Sequence, residues 1–289
     1  MAEKNHISVI GGDLRSYHAA VRLREAGFSV ALTGFESLAS AEAFPAAGAD
    51  EACKERFLLL PLPFSKDQTV VFAPFAKEKL PIETIADRTR KEQTVFAGAV
   101  QTKAAESLRR QGARLIDYQT DEAFALRNAC FTAEGLFAAA VQKTQVAVNG
   151  SEAAVVGFGR IGFYTARLLR AAGANVTVFA RSETARTKAR LLGCGSKEPS
   201  ALKDGRFRFD YLINTVPAGL LGFEALKNLN DGCVLFEAAG APYGIDRAAA
   251  ERLGLTVFTE SGVPGKTAPK SAGFALADTV LKLIPGVIP

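Results

Sequence analysis

The chain of 289 residues is 48% hydrophobic and 22% charged with a net charge of +5, the balance of a globular protein long enough for two cores of ordinary domain size. It has no apolar run of the length that crosses a bilayer. Its opening "MAEKNHISVIGGD" lacks the long apolar core of a secretory leader, so a cytoplasmic, non-membrane protein is expected. The positive charge is dispersed through helical stretches such as "SLRRQGAR" and "RSETARTKAR" with no basic tail or interleaved aromatics, which argues against a nucleic-acid surface.

In chain order, "ISVIGGD", "SVALTGF", "RFLLLPLP", "TVFAGAV" and "RLIDY" read as strands separated by helical stretches such as "RSYHAAVRLREAG" and "QTKAAESLRRQG". Apolar strands alternating with helices predict a parallel sheet covered on both faces, complete by about Tyr118. A long connecting helix is expected over 132–148, with Thr132 as its N-cap. The alternation then restarts with "AAVVGFG", "NVTVFA", "FDYLINTVP", "GCVLFEAA" and "LTVFTE", a second doubly wound unit. A Pro/Gly-punctuated loop, "GVPGKTAP", leads to a last helix over 270–284 that is expected to cross back to the first domain. The fold class is therefore α/β, two doubly wound Rossmann-like domains. Residues 1–127 form a substrate domain; residues 128–289 carry the connecting helix, the NAD(P)-binding domain and the return helix.

The dinucleotide is assigned to the second domain. Gly157, Gly159 and Gly162 form GxGxxG directly after a strand and at the opening of a helix. They serve a tight turn, close approach of backbone to a pyrophosphate, and helix-to-strand packing, with the helix amides facing the phosphates. In the first domain Gly11 and Gly12 are followed by Asp13 and Ser16 at the next positions of the pattern, so the triple is broken and a carboxylate stands where a pyrophosphate would. An acid at the end of the second strand suits the ribose of NAD, whereas "VTVFARS" delivers Arg181 and Ser182 there, with Arg186 and Lys188 one turn on. That set favours the 2′-phosphate of NADP over NAD. Glu183 is the one acid that a later strand end would bring to the ribose. Thr215, Val216 and Pro217, after Asn214 in "YLINTVP", stand at a strand's carboxyl end and are placed beside the nicotinamide ribose.

Chemistry is narrowed by absence. His6 and His18 are the whole histidine complement, so no late histidine can shuttle protons as in D-2-hydroxyacid dehydrogenases. No tyrosine is followed four residues later by lysine, which counts against short-chain dehydrogenases. Cys53, Cys130, Cys194 and Cys233 have no zinc or redox spacing. The remaining candidates are Arg15 at the first helix, Asn128, Thr132 and Glu134 where the connecting segment begins, and Lys270 with Ser271 at the last helix; these last two groups are expected to border an interdomain cleft.

These residues carry a resemblance. "VIGGDLR", "DEAFALRNACFTAEG", "VVGFGRIG" with "GANVTVFARS", "INTVP" and "GVPGKTAPKSAG" together make the chain similar, almost end to end, to the dipicolinate synthase A-subunit family of sporulating bacteria. The likeness is loosest over "PLPFSKDQTVVFAPFAKEKLPIE". The resemblance implies that Gly157, Gly159, Arg160, Ile161, Gly162, Arg181 and Ser182 hold NADP, and that Asn128, Thr132, Glu134, Pro264, Gly265, Lys270 and Ser271 form the substrate side. It also implies oxidation of a dihydropyridine dicarboxylate to dipicolinate in the mother-cell cytoplasm, and a flavoprotein second subunit. Self-association of like chains is expected too. Position and charge suggest Glu134 for the proton and Lys270 with Arg15 for the two carboxylates. The rival readings are another NAD(P)-dependent dehydrogenase, of the alanine or hydroxyacid type, and a cofactor-binding subunit or sensor without turnover.

Overall fold

The computed structural model describes residues 6–284; residues 1–5, the start of the stretch read above for a leader, and residues 285–289 lie outside the described residues. The chain divides into two compact units, Met1–Asn128 with Ala268–Pro289, and Ala129–Thr267.

In the first unit β1 (His6–Ile10), β2 (Ser29–Thr33), β3 (Phe57–Leu59), β4 (Thr94–Ala97) and β5 (Arg114–Asp117) form one parallel sheet in the order β2-β1-β3-β4-β5. Successive residues of a strand point to opposite faces, and here both faces are covered, which is why the strands are near-continuous apolar runs. Ile7, Val9 and Phe96 pack with Leu276 and Val280 of the last helix, while Leu58, Leu60 and Val95 pack with Ile85 and Leu108. That last helix, Pro269–Leu283, lies along the helix Leu14–Glu25, the return expected from the sequence. Their approach is close: a Cβ on Gly273 would stand 2.5 Å from the Arg15 carbonyl oxygen and 2.6 Å from His18 Cβ.

In the second unit β6 (Glu152–Val156), β7 (Asn175–Phe179), β8 (Gly195–Lys197), β9 (Tyr211–Asn214), β10 (Val234–Glu237) and β11 (Val257–Thr259) run parallel in the order β11-β10-β9-β6-β7-β8. Strand order reverses between β6 and β9, and their register sets Val156 beside Asn214, so the loops that follow diverge from one crevice. Leu136, Ala140 and Leu169 cover Val155, Ile213 and Phe236 on one face; Leu226 and Ile245 cover Val156, Leu212 and Leu235 on the other. Each fully buried Val, Leu, Ile or Phe side chain among these contributes about 2 kcal/mol. The short β8, "GSK", was not foreseen, because a three-residue polar edge strand carries no apolar run.

The connecting helix differs from the expected 132–148. It runs Glu122–Lys143, and the division between the units falls within it. Its start signal is Asp121, whose Oδ1 accepts from the Phe124 amide at 2.9 Å, so Thr132 is an interior residue and not the N-cap. At the far end Thr144 turns its hydroxyl back to the Ala140 carbonyl at 2.7 Å, and the β-branched residues Val146 and Val148 that follow do not extend the helix.

Candidate functional site

The three glycines of the second unit occupy three different situations. Gly157 leaves β6 with φ +95°, and a Cβ there would meet Thr215 Oγ1 at 2.5 Å and Val216 Cγ2 at 2.6 Å, so only glycine makes the turn. Thr215 in turn donates its hydroxyl to the Val156 carbonyl at 2.9 Å, tying the two strand ends together. Gly162 is needed for packing, since its Cβ would overlap the Gly157 carbonyl. Gly159 is different. It caps the helix Arg160–Ala171, and a Cβ on it would meet nothing within 4 Å. The backbone is thus open where a pyrophosphate approaches, and the first helical turn carries no acid to repel it. Arg160 and Ile161 occupy the first two helical positions, Arg160 exposed and engaged with its surroundings, Ile161 half-buried against the core.

A groove of about 380 Å³ runs from this turn past Thr215, Val216 and Pro217 to Arg181 and Ser182. Arg181 is exposed at its lip, and its guanidinium makes no hydrogen bond or ion pair among the described residues. Ser182 caps the helix Glu183–Leu191, its Oγ accepting from the Ala185 amide at 3.2 Å. Arg186, expected at the phosphate, is turned elsewhere. Four of its N–H donors are hydrogen-bonded, to Glu183 Oε2 from Nε at 3.1 Å and Nη2 at 2.8 Å, and from Nη1 to the carbonyls of Ala180 at 2.9 Å and Arg181 at 2.7 Å, and Nη2 also forms an ion pair with Glu198 at 3.0 Å. Glu183 also accepts from Arg190 Nη2 at 2.5 Å. Arg190 and Arg186 hold its carboxyl down to about 2.

Sequence reasoning missed Glu237. This carboxylate, 1% exposed at the end of β10, accepts from Asn214 Nδ2 at 2.7 Å and from the amides of Ala239 at 3.0 Å, Gly244 at 2.8 Å and Ile245 at 2.8 Å. Asn214 also exchanges bonds with the Val216 backbone, so one buried acid organises the loops on the β9 and β10 side of the groove. The signal was an acid closing the apolar run "VLFE".

In the first unit the equivalent glycine turn is covered. The Gly12 amide donates to the Phe72 carbonyl at 2.7 Å, and a Cβ on Gly11 would meet Phe72 O and Val71 Cγ1 at 3.0 Å. Arg15 is 6% exposed and grips Asp13, Nε on Oδ1 at 2.9 Å and Nη2 on Oδ2 at 2.8 Å, with Nη2 also on the Leu62 carbonyl. Its Nη1 has no partner among the described residues. Lys270 and Ser271 are exposed at the start of the last helix, and the lysine adds its charge to partial burial in lowering the pKa of His18. Arg15, Asn128, Lys270 and Ser271 thus belong to the first unit, and Thr132, Glu134, Pro264 and Gly265 to the second. Thr132 is buried; Glu134 is exposed, 4.0 Å from Cys130 Sγ. The "TAEG" and "GVPGKT" motifs meet, because Gly135 packs against Val263 and Thr267 so closely that a Cβ would overlap Val263. Among the described residues no group of three or more side chains could hold a metal, and no helix is long and apolar enough to cross a membrane.

Comparison with known proteins fits this division. Residues 6–119 match the dipicolinate synthase A-subunit N-terminal domain. The dipicolinate synthase A-subunit of Bacillus subtilis (strain 168) is 31% identical over 285 residues, 96% of this chain and 95% of that one. The chain belongs to the dipicolinate synthase A-subunit family. Residues 125–243 match the NAD binding domain of D-isomer specific 2-hydroxyacid dehydrogenases. The crystal structure of the dipicolinate synthase A-subunit from Bacillus halodurans superposes with TM-score 0.86 at 29% identity, covering 96% of this chain and 97% of that one. That of its Bacillus subtilis counterpart gives 0.82 at 29%, covering 98% and 96%. The second unit is therefore a dehydrogenase-type NAD-binding domain, and the chain is of oxidoreductase type, although its two histidines both lie in the first unit.

Proposed function

We propose that the chain oxidises a dihydrodipicolinate-type dicarboxylate to dipicolinate with NADP, together with a flavoprotein second subunit, in the mother-cell cytoplasm of a sporulating bacterium. The observation that carries the cofactor assignment is the pairing of an open glycine turn at Gly159 with the Arg181 guanidinium, unpartnered among the described residues, at the far lip of the same groove. The three glycine situations fit a dinucleotide, and the planar fork of Arg181 with the hydroxyl of Ser182 fits a 2′-phosphate. NADP, when bound, accepts the hydride that leaves the ring as it becomes aromatic.

The chain's own groups then have to orient the ring and take one proton. Glu134 is the assigned base, an exposed carboxylate with no ion pair among the described residues. Arg15, oriented by Asp13 and left with Nη1 unengaged, and Lys270 pair the two substrate carboxylates. Asn128, Thr132 and Ser271 supply polar contacts, and like chains associate. The test mixes purified chain, freshly generated dihydrodipicolinate, and NADP or NAD, with and without the flavoprotein partner, and follows nicotinamide reduction against dipicolinate formation. Matched formation of both, faster with NADP and slowed by Glu134→Gln, is expected. Binding of the cofactor without turnover, even with the partner present, would overturn the catalytic reading in favour of a non-catalytic cofactor-binding subunit.

A further inference from the structure

Cofactor choice in this groove rests on an acid as much as on a base. Glu183 directly follows the N-cap residue Ser182 at the groove lip. A carboxylate reaching in from there would accept hydrogen bonds from ribose hydroxyls and repel a 2′-phosphate. Instead it is folded back along its own helix, held by Arg186 through two donors, by Arg190, and by the Thr187 hydroxyl at 3.3 Å. We propose that Arg186 and Arg190 form a clamp that withdraws Glu183 from the nucleotide groove and so sets the preference for NADP, an inference that rests on the placement of NADP given above.

Arg186 is a positioning residue in this scheme. Its side chain is 13% exposed, against 64% for Glu183 and 61% for Glu198. Four of its five donors are hydrogen-bonded and Nη2 is also paired with Glu198, so its guanidinium is committed to the helix and not to the groove. Two of these donors fix the carbonyls of Ala180 and Arg181, the two residues that follow β7, and so hold the backbone that carries the Arg181 side chain. Ion pairs this exposed add little to stability, so what the network supplies is placement. Glu183 stays ionised throughout the neutral range, and protonation gives no relief from the repulsion if the clamp opens.

The test measures equilibrium dissociation constants of NADP, NAD, 2′-AMP and 5′-AMP on the full chain by calorimetry. In Arg186→Met the released carboxylate should weaken NADP and 2′-AMP about tenfold relative to NAD and 5′-AMP, the scale of one like-charge contact near a protein surface. Adding Glu183→Gln should bring the NADP to NAD ratio back to within about threefold of the parent, because no charge is left to repel. Arg190→Met, at a half-exposed site on the helix surface, should shift the ratio the same way by less and guards against a misfolded Arg186 variant. Equal weakening of both nucleotides with no recovery on adding Glu183→Gln would overturn the clamp and leave Arg186 as a helix support. A parent chain with no preference for NADP would instead count against the 2′-phosphate assignment. The clamp would still have to show itself as a shift toward NAD in Arg186→Met that Glu183→Gln reverses.

Discussion

Gly135→Ala separates helix propensity from packing by the sign of its effect. Gly135 lies inside the helix Glu122–Lys143, where replacing glycine by alanine at an unconstrained site stabilises by about 1 kcal/mol. Here the added Cβ would overlap Val263 Cγ1 and stand 2.8 Å from Thr267 Oγ1 and 3.1 Å from Thr267 Cγ2. Val263 is 4% exposed, and Thr267 is tied to it by a hydroxyl-to-carbonyl bond of 3.0 Å, so the facing turn cannot simply rotate aside. Overpacking of this kind costs about 1–3 kcal/mol, and contact with two residues at once puts it toward the upper end. Net destabilisation of about 1–2 kcal/mol follows, a fall of about 2–8 °C in the melting temperature of a unit this size. Val263→Ala alone should also destabilise, by about 1–2 kcal/mol for the buried methyls lost. The double variant should be more stable than the sum of the two by about 1 kcal/mol, because the new methyl fills part of the space vacated. Circular dichroism melts of the four chains give the cycle. A higher melting temperature for Gly135→Ala, or strict additivity, would refute the contact argument.

Glu237→Gln replaces an acceptor of four hydrogen bonds by a group with one carbonyl oxygen and an amide facing backbone donors, so thermal unfolding should show a loss of about 2 kcal/mol. Gly159→Ala should leave the melting temperature unchanged while weakening dinucleotide binding by calorimetry, whereas Gly162→Ala should lower the melting temperature itself, since only the second methyl collides with backbone. The lowered pKa of Glu183 fixes a pH window. Its pairing contributes fully above the unfolded value of about 4.3 and is lost as pH falls toward about 2. At this exposure the stability involved is small, so the check is a carbon-13 NMR titration of the Glu183 carboxyl: a midpoint well below the ordinary glutamate value is expected, and a midpoint at that value would mean that the pairing is not maintained in solution.

The strands of both units were legible because burial on two faces leaves apolar runs that nothing else in the chain imitates, and β8 escaped because an exposed polar edge needs no such run. The connecting helix was misplaced for a similar reason. Thr132 and Asp121 are both capable caps, and only the bond from the Phe124 amide shows which one acts. The glycine turn is legible because its three glycines meet three different steric demands at fixed spacing. What could not be read was how side chains spend their donors. Arg181 and Arg186 look equivalent as cations, yet one guanidinium is left without a partner among the described residues and the other is tied to two carbonyls and two carboxylates. Glu237 is invisible as an organiser until four donors are seen converging on it.

The two units share an architecture, but only the second has an open glycine turn, and a few atoms account for the difference. Both begin with a strand, a glycine turn and a helix. In the first, the segment with the loosest family likeness supplies Val71 and Phe72 against Gly11 and Gly12, so the Gly12 amide is already spent on a carbonyl of the same chain. Asp13 then caps the helix with a negative charge, which Arg15 neutralises at two points. An anion arriving there would have to displace a backbone hydrogen bond and a buried ion pair together, a cost of several kcal/mol before any contact is gained. In the second unit the same position holds Gly159, with open space beyond it and no acid in the first turn. Dinucleotide affinity therefore follows from what was left out of the second turn, and the Arg15 and Asp13 pair that closes the first leaves Nη1 of Arg15 as the one nitrogen of that guanidinium still able to meet a smaller anion.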